Sequence, residues 1–251
     1  MRTSLYILPF WLFICKGTVF ASEIPAEKDL PFKKIKFQVL DLKTKEPLAR
    51  GEESITYNDG KITKITEYFS TGKNPSILQS EMATTRLSNL NVLEYRFKNS
   101  QTGEMVELTM PTPPDASVVY SAKQGDPPKK SEYKWSERTI IGKTLHHFIV
   151  RNWKAIIAGE KPDFDLFVPM KRDQFKFRLR KKGEERYKNK TTHLVSLEPA
   201  NWAIRALVPR MHFFYAVQDG IPVLLKYEGA TTVAIDGDES REVAIDFEYE
   251  T

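Results

Sequence analysis

Apolar and polar residues alternate with a period of two along most of the chain. Ile35, Phe37 and Val39 alternate with Lys34, Lys36 and Gln38, which places one set on each face of an extended strand. Tyr57-Asn58-Asp59-Gly60-Lys61 is a hairpin signal, because Asn, Asp and Gly tolerate the positive φ of a tight turn. Leu93, Tyr95 and Phe97 lead through Asn99-Ser100-Gln101-Thr102-Gly103 into Val106, Leu108 and Met110, a second hairpin. Pro111, Pro113 and Pro114 end that strand, since proline donates nothing to a ladder. Residues 111–134, rich in Pro, Lys, Ser and Asp, read as a surface excursion with one strand over Ser117 to Ala122.

The period then changes to that of a helix. Ile141, Leu145, Phe148, Ile149, Trp153, Ile156 and Ile157 recur as one apolar stripe over about residues 142–158. Lys143, His147, Arg151 and Lys154 lie away from it, Gly159 is placed to end the helix, and Pro162 prevents its resumption. Strands return with Phe164, Leu166 and Val168, then with Phe175, Phe177 and Leu179 against Lys176, Arg178 and Arg180. Lys182-Gly183-Glu184 reads as a turn, followed by His193, Val195 and Leu197. Pro199 to Leu207 reads as a short helix. Met211, Phe213, Tyr215 and Val217 then turn through Asp219-Gly220 into Val223, Leu225 and Tyr227. The last strand carries Val243, Ile245, Phe247 and Tyr249, after a turn at Asp236 to Glu239.

The expected fold is mainly β with one substantial helix, in about ten to thirteen strands joined mostly by hairpins. The alternation predicts one dry and one wet sheet face. The expected architecture is a curved antiparallel sheet, or incomplete β-barrel, with the amphipathic helix packed on its concave face. A transmembrane β-barrel would alternate similarly. The central helix, the Pro-rich excursion and an ending of Tyr249-Glu250-Thr251 argue against it.

The first residues differ from all of this. Arg2 precedes an apolar stretch from Leu5 to Cys15, and Val19-Phe20-Ala21 sets small residues where a signal peptidase cuts. The stretch is too short to cross a hydrocarbon core of about 30 Å as a helix. The expected domains are therefore a signal peptide over 1–21, a polar lead-in over 22–31, and one β-rich domain over 32–251. Cleavage after Ala21 predicts a periplasmic or secreted protein that is not an integral membrane protein after processing. It also removes Cys15, the only cysteine, and with it any disulfide or thiolate ligand.

Composition sets the class of the chain. Hydrophobic residues make up 41% and charged residues 28%, which are globular values. The formal net charge of +5 loses Arg2 and Lys16 with the leader, leaving too weak a field to imply nucleic acid.

No catalytic motif stands out. There is no Gly-x-Ser-x-Gly, no Ser-x-x-Lys and no glycine-rich phosphate loop. His146 and His147 are adjacent on the helix and point about 100° apart, and no histidine pair has zinc spacing, so neither metal nor cofactor is expected. Asp163 and Asp165 alternate on one strand and both read as solvated. Two features suggest a ligand. Lys176, Arg178 and Arg180 form a cationic strand face suited to phosphate or carboxylate groups; the plain alternative is a solvated face guarded by charge. Phe148 and Trp153 on the helix stripe could line a cavity for an acyl chain; the plain alternative is core.

The order of leader, hairpins, amphipathic helix and further hairpins resembles the curved-sheet periplasmic lipoprotein carriers LolA and LolB. The run from Tyr57-Asn58-Asp59-Gly60-Lys61 to Tyr68 and Gly72-Lys73, followed by Thr102-Gly103-Glu104, is also similar to uncharacterised exported bacterial proteins. The resemblance is one of architecture over most of the mature chain and carries over no functional residue. The aromatic-rich interior pattern beside the cationic strand predicts a non-enzymatic periplasmic binding or carrier protein for an amphiphilic or lipid-like ligand, with Phe148, Trp153, Lys176, Arg178 and Arg180 as the binding residues. The second reading is an envelope assembly protein that binds another envelope protein and no small ligand; the third is a hydrolase built from scattered acids or histidines.

Overall fold

A computed structural model describes residues 32–201, 211–231, 233 and 241–250. The leader and lead-in, the Asp236 to Glu239 turn and residues 202–207 of the helix expected over Pro199 to Leu207 lie outside the described residues. Pro199 itself ends a strand.

The chain forms two meanders. The first comprises β1 (Lys34–Asp41), β2 (Pro47–Asn58), β3 (Lys61–Ser70), β4 (Ile77–Arg86), β5 (Val92–Asn99), β6 (Met105–Thr112), β7 (Asp115–Ser121) and β8 (Lys129–Lys134). A two-residue strand β9 (Thr139–Ile140), a 3-10 turn (Gly142–Thr144), α1 (Leu145–Arg151) and α2 (Trp153–Ile157) follow. The second meander comprises β10 (Asp163–Val168), β11 (Asp173–Tyr187), β12 (Lys190–Pro199), β13 (Met211–Gln218), β14 (Ile221–Ala230) and β15 (Glu242–Glu250). β15 pairs antiparallel with β1 and joins the two into one described sheet of fifteen strands, with β8 at one end and β9 at the other.

The expected mainly-β fold with an open, curved antiparallel sheet is what forms. Inward residues align across strands: Val195, Phe213, Tyr227, Ile245, Val39 and Ala49 occupy one continuous register row. The helical segment shows that the sheet wraps around it. Leu145, Ile149 and Ile156 pack with Phe164, Phe177, Leu179, Val195, Phe213 and Tyr215 of the second meander. Lys143, at the start of the same segment, contacts Glu53, Thr66 and Glu81 of the first.

The sheet's two ends meet through side chains. Phe167 of β10, 1% exposed, packs edge-on against Tyr133 of β8 at 5.0 Å and against Trp135 at 5.6 Å. The Tyr133 hydroxyl donates to the Arg172 carbonyl, and the Arg172 guanidinium lies over the Tyr120 ring. β8 and β9 share no ladder, so the seam is closed by packing and not by backbone pairing.

Several expectations need correction. The helix is interrupted: Asn152 leaves helical geometry (φ −94°, ψ 11°) and its side-chain amide donates to the Phe148 carbonyl, splitting the apolar run into α1 and α2. Residues 111–134 carry β7 and β8, two sheet strands in place of one. Residues 77–86, which show no clean alternation, form β4. Lys182-Gly183-Glu184 is not a turn; β11 runs through it with a bulge, and the chain reverses at Lys188 and Asn189, whose φ values of 46° and 63° suit a type I′ turn.

The expected wet face is also dry over β12 to β14. Leu194 to Leu197, Phe213 to Ala216 and Pro222 to Leu225 are buried without alternation. A bulge between Phe214 and Tyr215 breaks the regular parity of β14. Leu224 and Tyr227 pack against the helix, whereas Val223 and Leu225 join Ala216, Phe32 and Tyr187 in a separate cluster.

Candidate functional site

The inner face of β2, β3 and β4 carries a polar stripe. Glu53, Thr66 and Glu81 are register partners on three neighbouring strands, and Lys64 lies one row away beside Ile55 and Ala83. Each shares its strand parity with residues such as Ala49, Ile62 and Ala83 that belong to the core. The side chains of Glu53, Lys64, Glu81 and Lys143 are only 14, 8, 9 and 13% exposed.

Burying four charges this deeply is costly unless they pair, and they do. The Lys143 Nζ lies 3.4 Å from Glu81 and 3.6 Å from Glu53, and donates to the Thr66 hydroxyl at 2.7 Å. Lys64 reaches Glu53 at 3.4 Å. The Thr66 hydroxyl donates to Glu53 at 2.8 Å, and the Gln79 amide donates to Glu81 at 2.7 Å.

The pairing sets the protonation states. Burial alone would raise the Glu53 carboxyl, but Lys64, Lys143 and the Thr66 hydroxyl outweigh it and hold it at about 2. Burial would lower the Lys143 ammonium, but Glu81, Tyr68 and Glu53 hold it above the ordinary lysine range. Burial pushes Lys64 down, with Lys143 adding to the effect and Glu53 opposing it. Burial, opposed by Lys143 and aided by Glu81 and Glu53, raises Tyr68 to about 12; burial with Glu81 raises Tyr95 as well.

Beside this cluster lies a pocket of about 270 Å³. Tyr68, Glu81, Tyr95 and Lys143 form its polar part; Ile141, Leu166, Phe167, Val168, Pro169 and Met170 form its apolar wall. The wall comes from β10 and the segment after it, so the pocket sits just behind the seam. Tyr68 and Tyr95 are 9% and 4% exposed, and among the described residues neither hydroxyl has a hydrogen-bond partner. An apolar pocket with a few convergent polar groups is the usual form of a small-molecule site.

A larger groove of about 600 Å³ lies between β1, β2, β15 and the tip of the β11–β12 hairpin. Its charges are largely paired with neighbours, Lys36 with Glu250, Glu52 with Lys34 and Lys188 with Asp246. Surface pairs of this kind contribute little energy and present no concentrated field.

The residues expected to bind ligand fall in two separate places. Phe148 packs against Phe164 at 4.8 Å, and Trp153 against Tyr215 at 5.3 Å and His193 at 5.5 Å, all at the core beneath the second meander. Lys176 and Arg180 are exposed and Arg178 pairs with Asp163 at 3.2 Å, alternating with the buried Phe177 and Leu179. The helix and the basic row therefore lie on opposite faces of β11 and do not border one space. None of the five lines the pocket or the groove.

Among the histidines, His146 Nδ1 is 2.9 Å from the Tyr215 hydroxyl, and burial lowers its pKa to about 3. His147 stands edge-on to His146 at 5.7 Å, and His193 lies 3.2 Å from Glu184.

Sequence reasoning missed Glu53, Lys64, Thr66 and Glu81, and set Lys143 on the polar side of the helix as if that side were wet. The signal was strand parity: in β2 to β4 these polar residues take turns with core residues. Lys143 is covered because the sheet wraps the helical segment from both sides.

No family model and no curated protein matches the chain. Among solved structures the fold is similar to a β-barrel-like protein of a domain of unknown function, DUF1849, from Brucella abortus. That likeness has a TM-score of 0.51 at 7% identity, over 88% of this chain and 98% of the other. The likeness shows a β-barrel-like fold.

Proposed function

We propose that the protein is a non-enzymatic binding or carrier protein for a small amphiphilic ligand, working in the periplasm or outside the cell once its leader is removed after Ala21. The observation that carries this reading is the pair of Tyr68 and Tyr95 hydroxyls, which have no hydrogen-bond partner among the described residues and line a pocket whose other wall is Ile141, Leu166, Phe167 and Met170. A ligand that bonds these hydroxyls while covering the apolar wall gains both directional and apolar binding energy. The seam offers a route in, since parting it breaks side-chain contacts and no ladder.

The charge cluster favours binding over chemistry. A general base works best with a pKa near the operating pH. Glu53 is held at about 2 and Lys143 is held protonated, so each is committed to its partners. The lipid-like character expected from the sequence is kept, but its place moves from the helix and the basic strand to the seam pocket.

Native mass spectrometry of protein purified from its producing cells, with solvent extraction, tests the reading. One small amphiphile per chain is the expected result, lost when Met170→Trp fills the pocket. Protein that carries nothing and binds no amphiphile in titration overturns it.

A second reading, an envelope interaction protein, draws on one observation: among the described residues β8 is an end strand whose only ladder partner is β7, and such an edge can recruit a partner strand. Its charged residues Lys129, Lys130, Glu132 and Lys134 are of the kind that guard such an edge. Crosslinking in intact cells from a probe on Lys130 that returns only the monomer counts against it.

A further inference from the structure

We infer that the pocket selects ligands whose polar end is uncharged, a hydroxyl, carbonyl or amide and not a carboxylate, phosphate or ammonium. The inference rests on the amphiphile-binding reading and specifies the chemistry of its ligand.

The charged groups at and beside the pocket are already paired with one another. The Lys143 ammonium has three N–H donors, and three acceptor groups surround it: Thr66 Oγ1 at 2.7 Å, Glu81 at 3.4 Å and Glu53 at 3.6 Å. Glu81 is met by Lys143 and by the Gln79 amide. Glu53 is met by Lys64, Lys143 and Thr66. Two carboxylates and two ammoniums thus balance, and each faces its opposite.

What remains is the pair of phenol hydroxyls on Tyr68 and Tyr95. Each is a neutral group that both donates and accepts, and each residue lines the pocket. Such groups match a ligand hydroxyl, carbonyl or amide. A carboxylate entering here would find no unspent cation, and an ammonium no unspent carboxylate. Either would be desolvated without a counter-charge, the least favourable way to bury an ion.

Size narrows the class further. A pocket of about 270 Å³, just below the usual span of about 300–1,000 Å³ for small-molecule sites, takes a small ligand or one end of a larger one. That is a compact head with a short chain; a longer chain must continue along the seam past Phe167 and Met170.

The test uses four probes with one tail: 1-octanol, octanamide, octanoate and octylammonium, titrated at neutral pH into the full chain by calorimetry. Octanol and octanamide are expected to bind at least ten-fold tighter than either ion. Tyr95→Phe and Tyr68→Phe should each weaken octanol about five-fold or more without moving the urea unfolding midpoint. Glu81→Gln, which leaves the pocket one positive charge in excess, should raise the affinity for octanoate relative to octanol.

Octanoate or octylammonium binding as tightly as octanol overturns the inference while leaving the amphiphile reading in place. Equal octanol affinity for the wild-type and both tyrosine variants overturns it too. If none of the four binds, the amphiphile reading itself fails and the inference goes with it.

Discussion

The Lys143 ammonium lies 3.4 Å from the Glu81 carboxylate, tying the start of the helical segment to strand β4 where both side chains are about nine-tenths buried. A contact between distant parts of the chain, made in a poorly hydrated place, is worth testing by removing one partner at a time. Lys143→Met leaves Glu81 and Glu53 short of a cation and is expected to lower unfolding free energy by about 3–5 kcal/mol, the usual result of breaking a buried ion pair. Lys143→Met with Glu81→Gln should recover a large part of that loss. Urea titrations of the three variants and a double-mutant cycle provide the check; additive losses would show that the pair is not coupled.

Stability should fall in acid because of Glu53. Its folded pKa of about 2 lies below its ordinary value of 4.5, so its contribution is complete above about pH 4.5 and is lost as pH falls towards 2. The shift corresponds to about 3 kcal/mol. Glu53→Gln should flatten the dependence of unfolding free energy on pH over that window, whatever it does to stability at neutral pH.

His146 should remain neutral through the physiological range, since burial holds it at about 3. A depressed folded value also means that stability declines as pH drops from about 6.5 towards 3, where the unfolded chain binds the proton first. NMR of the imidazole should show no titration between pH 5 and 8. Tyr215→Phe removes the partner of Nδ1 and should cost about 1–2 kcal/mol.

Gly51 has no room for a methyl group. A Cβ there would lie 2.2 Å from ring atoms of Phe37, its cross-strand partner, and 2.9 Å from the Glu67 carbonyl. Gly51→Ala is expected to destabilise the protein by about 1–3 kcal/mol. Paired with Phe37→Leu it should cost less than the two single changes added together, because they relieve one clash. Thermal unfolding of the singles and the double decides this.

The β11–β12 reversal carries strain at Lys188, a non-glycine residue at φ 46°. Lys188→Asn should raise stability by about 0.5–1 kcal/mol, since asparagine tolerates this region better. The Lys188–Asp246 contact it gives up is 3.8 Å long with Lys188 half exposed, and is worth little. A lower unfolding midpoint would show that the contact matters more than the backbone.

Much of the fold was legible because its signals are local. Asn58-Asp59-Gly60 marks the β2–β3 turn wherever it occurs, and the run Ile35, Phe37, Val39 needs no knowledge of its neighbours to define a buried face. Strand β4 was not legible for the opposite reason. Its inward positions hold Gln79, Glu81, Ala83 and Thr85, and a polar residue facing a polar partner looks the same in sequence as one facing water. The bulges after Lys181 and Phe214 shifted parity without leaving a period to detect. The candidate site shared the fate of β4, since nothing in the sequence marks Glu53, Lys64 or Glu81 as inward-facing, whereas Phe148, Trp153 and the basic strand stand out by their pattern.

By itself, then, the order of residues determined that this chain would be a set of twisted hairpins around one helical segment, because alternation and turn chemistry act over a few residues at a time. Which polar side chains ended up inside was decided only when β15 met β1 and the sheet curled. That closure set Glu53 and Glu81 opposite Lys143 and turned Tyr68 and Tyr95 to the pocket, because charge balance and burial depend on what lies across the interior and not on what lies next in the chain.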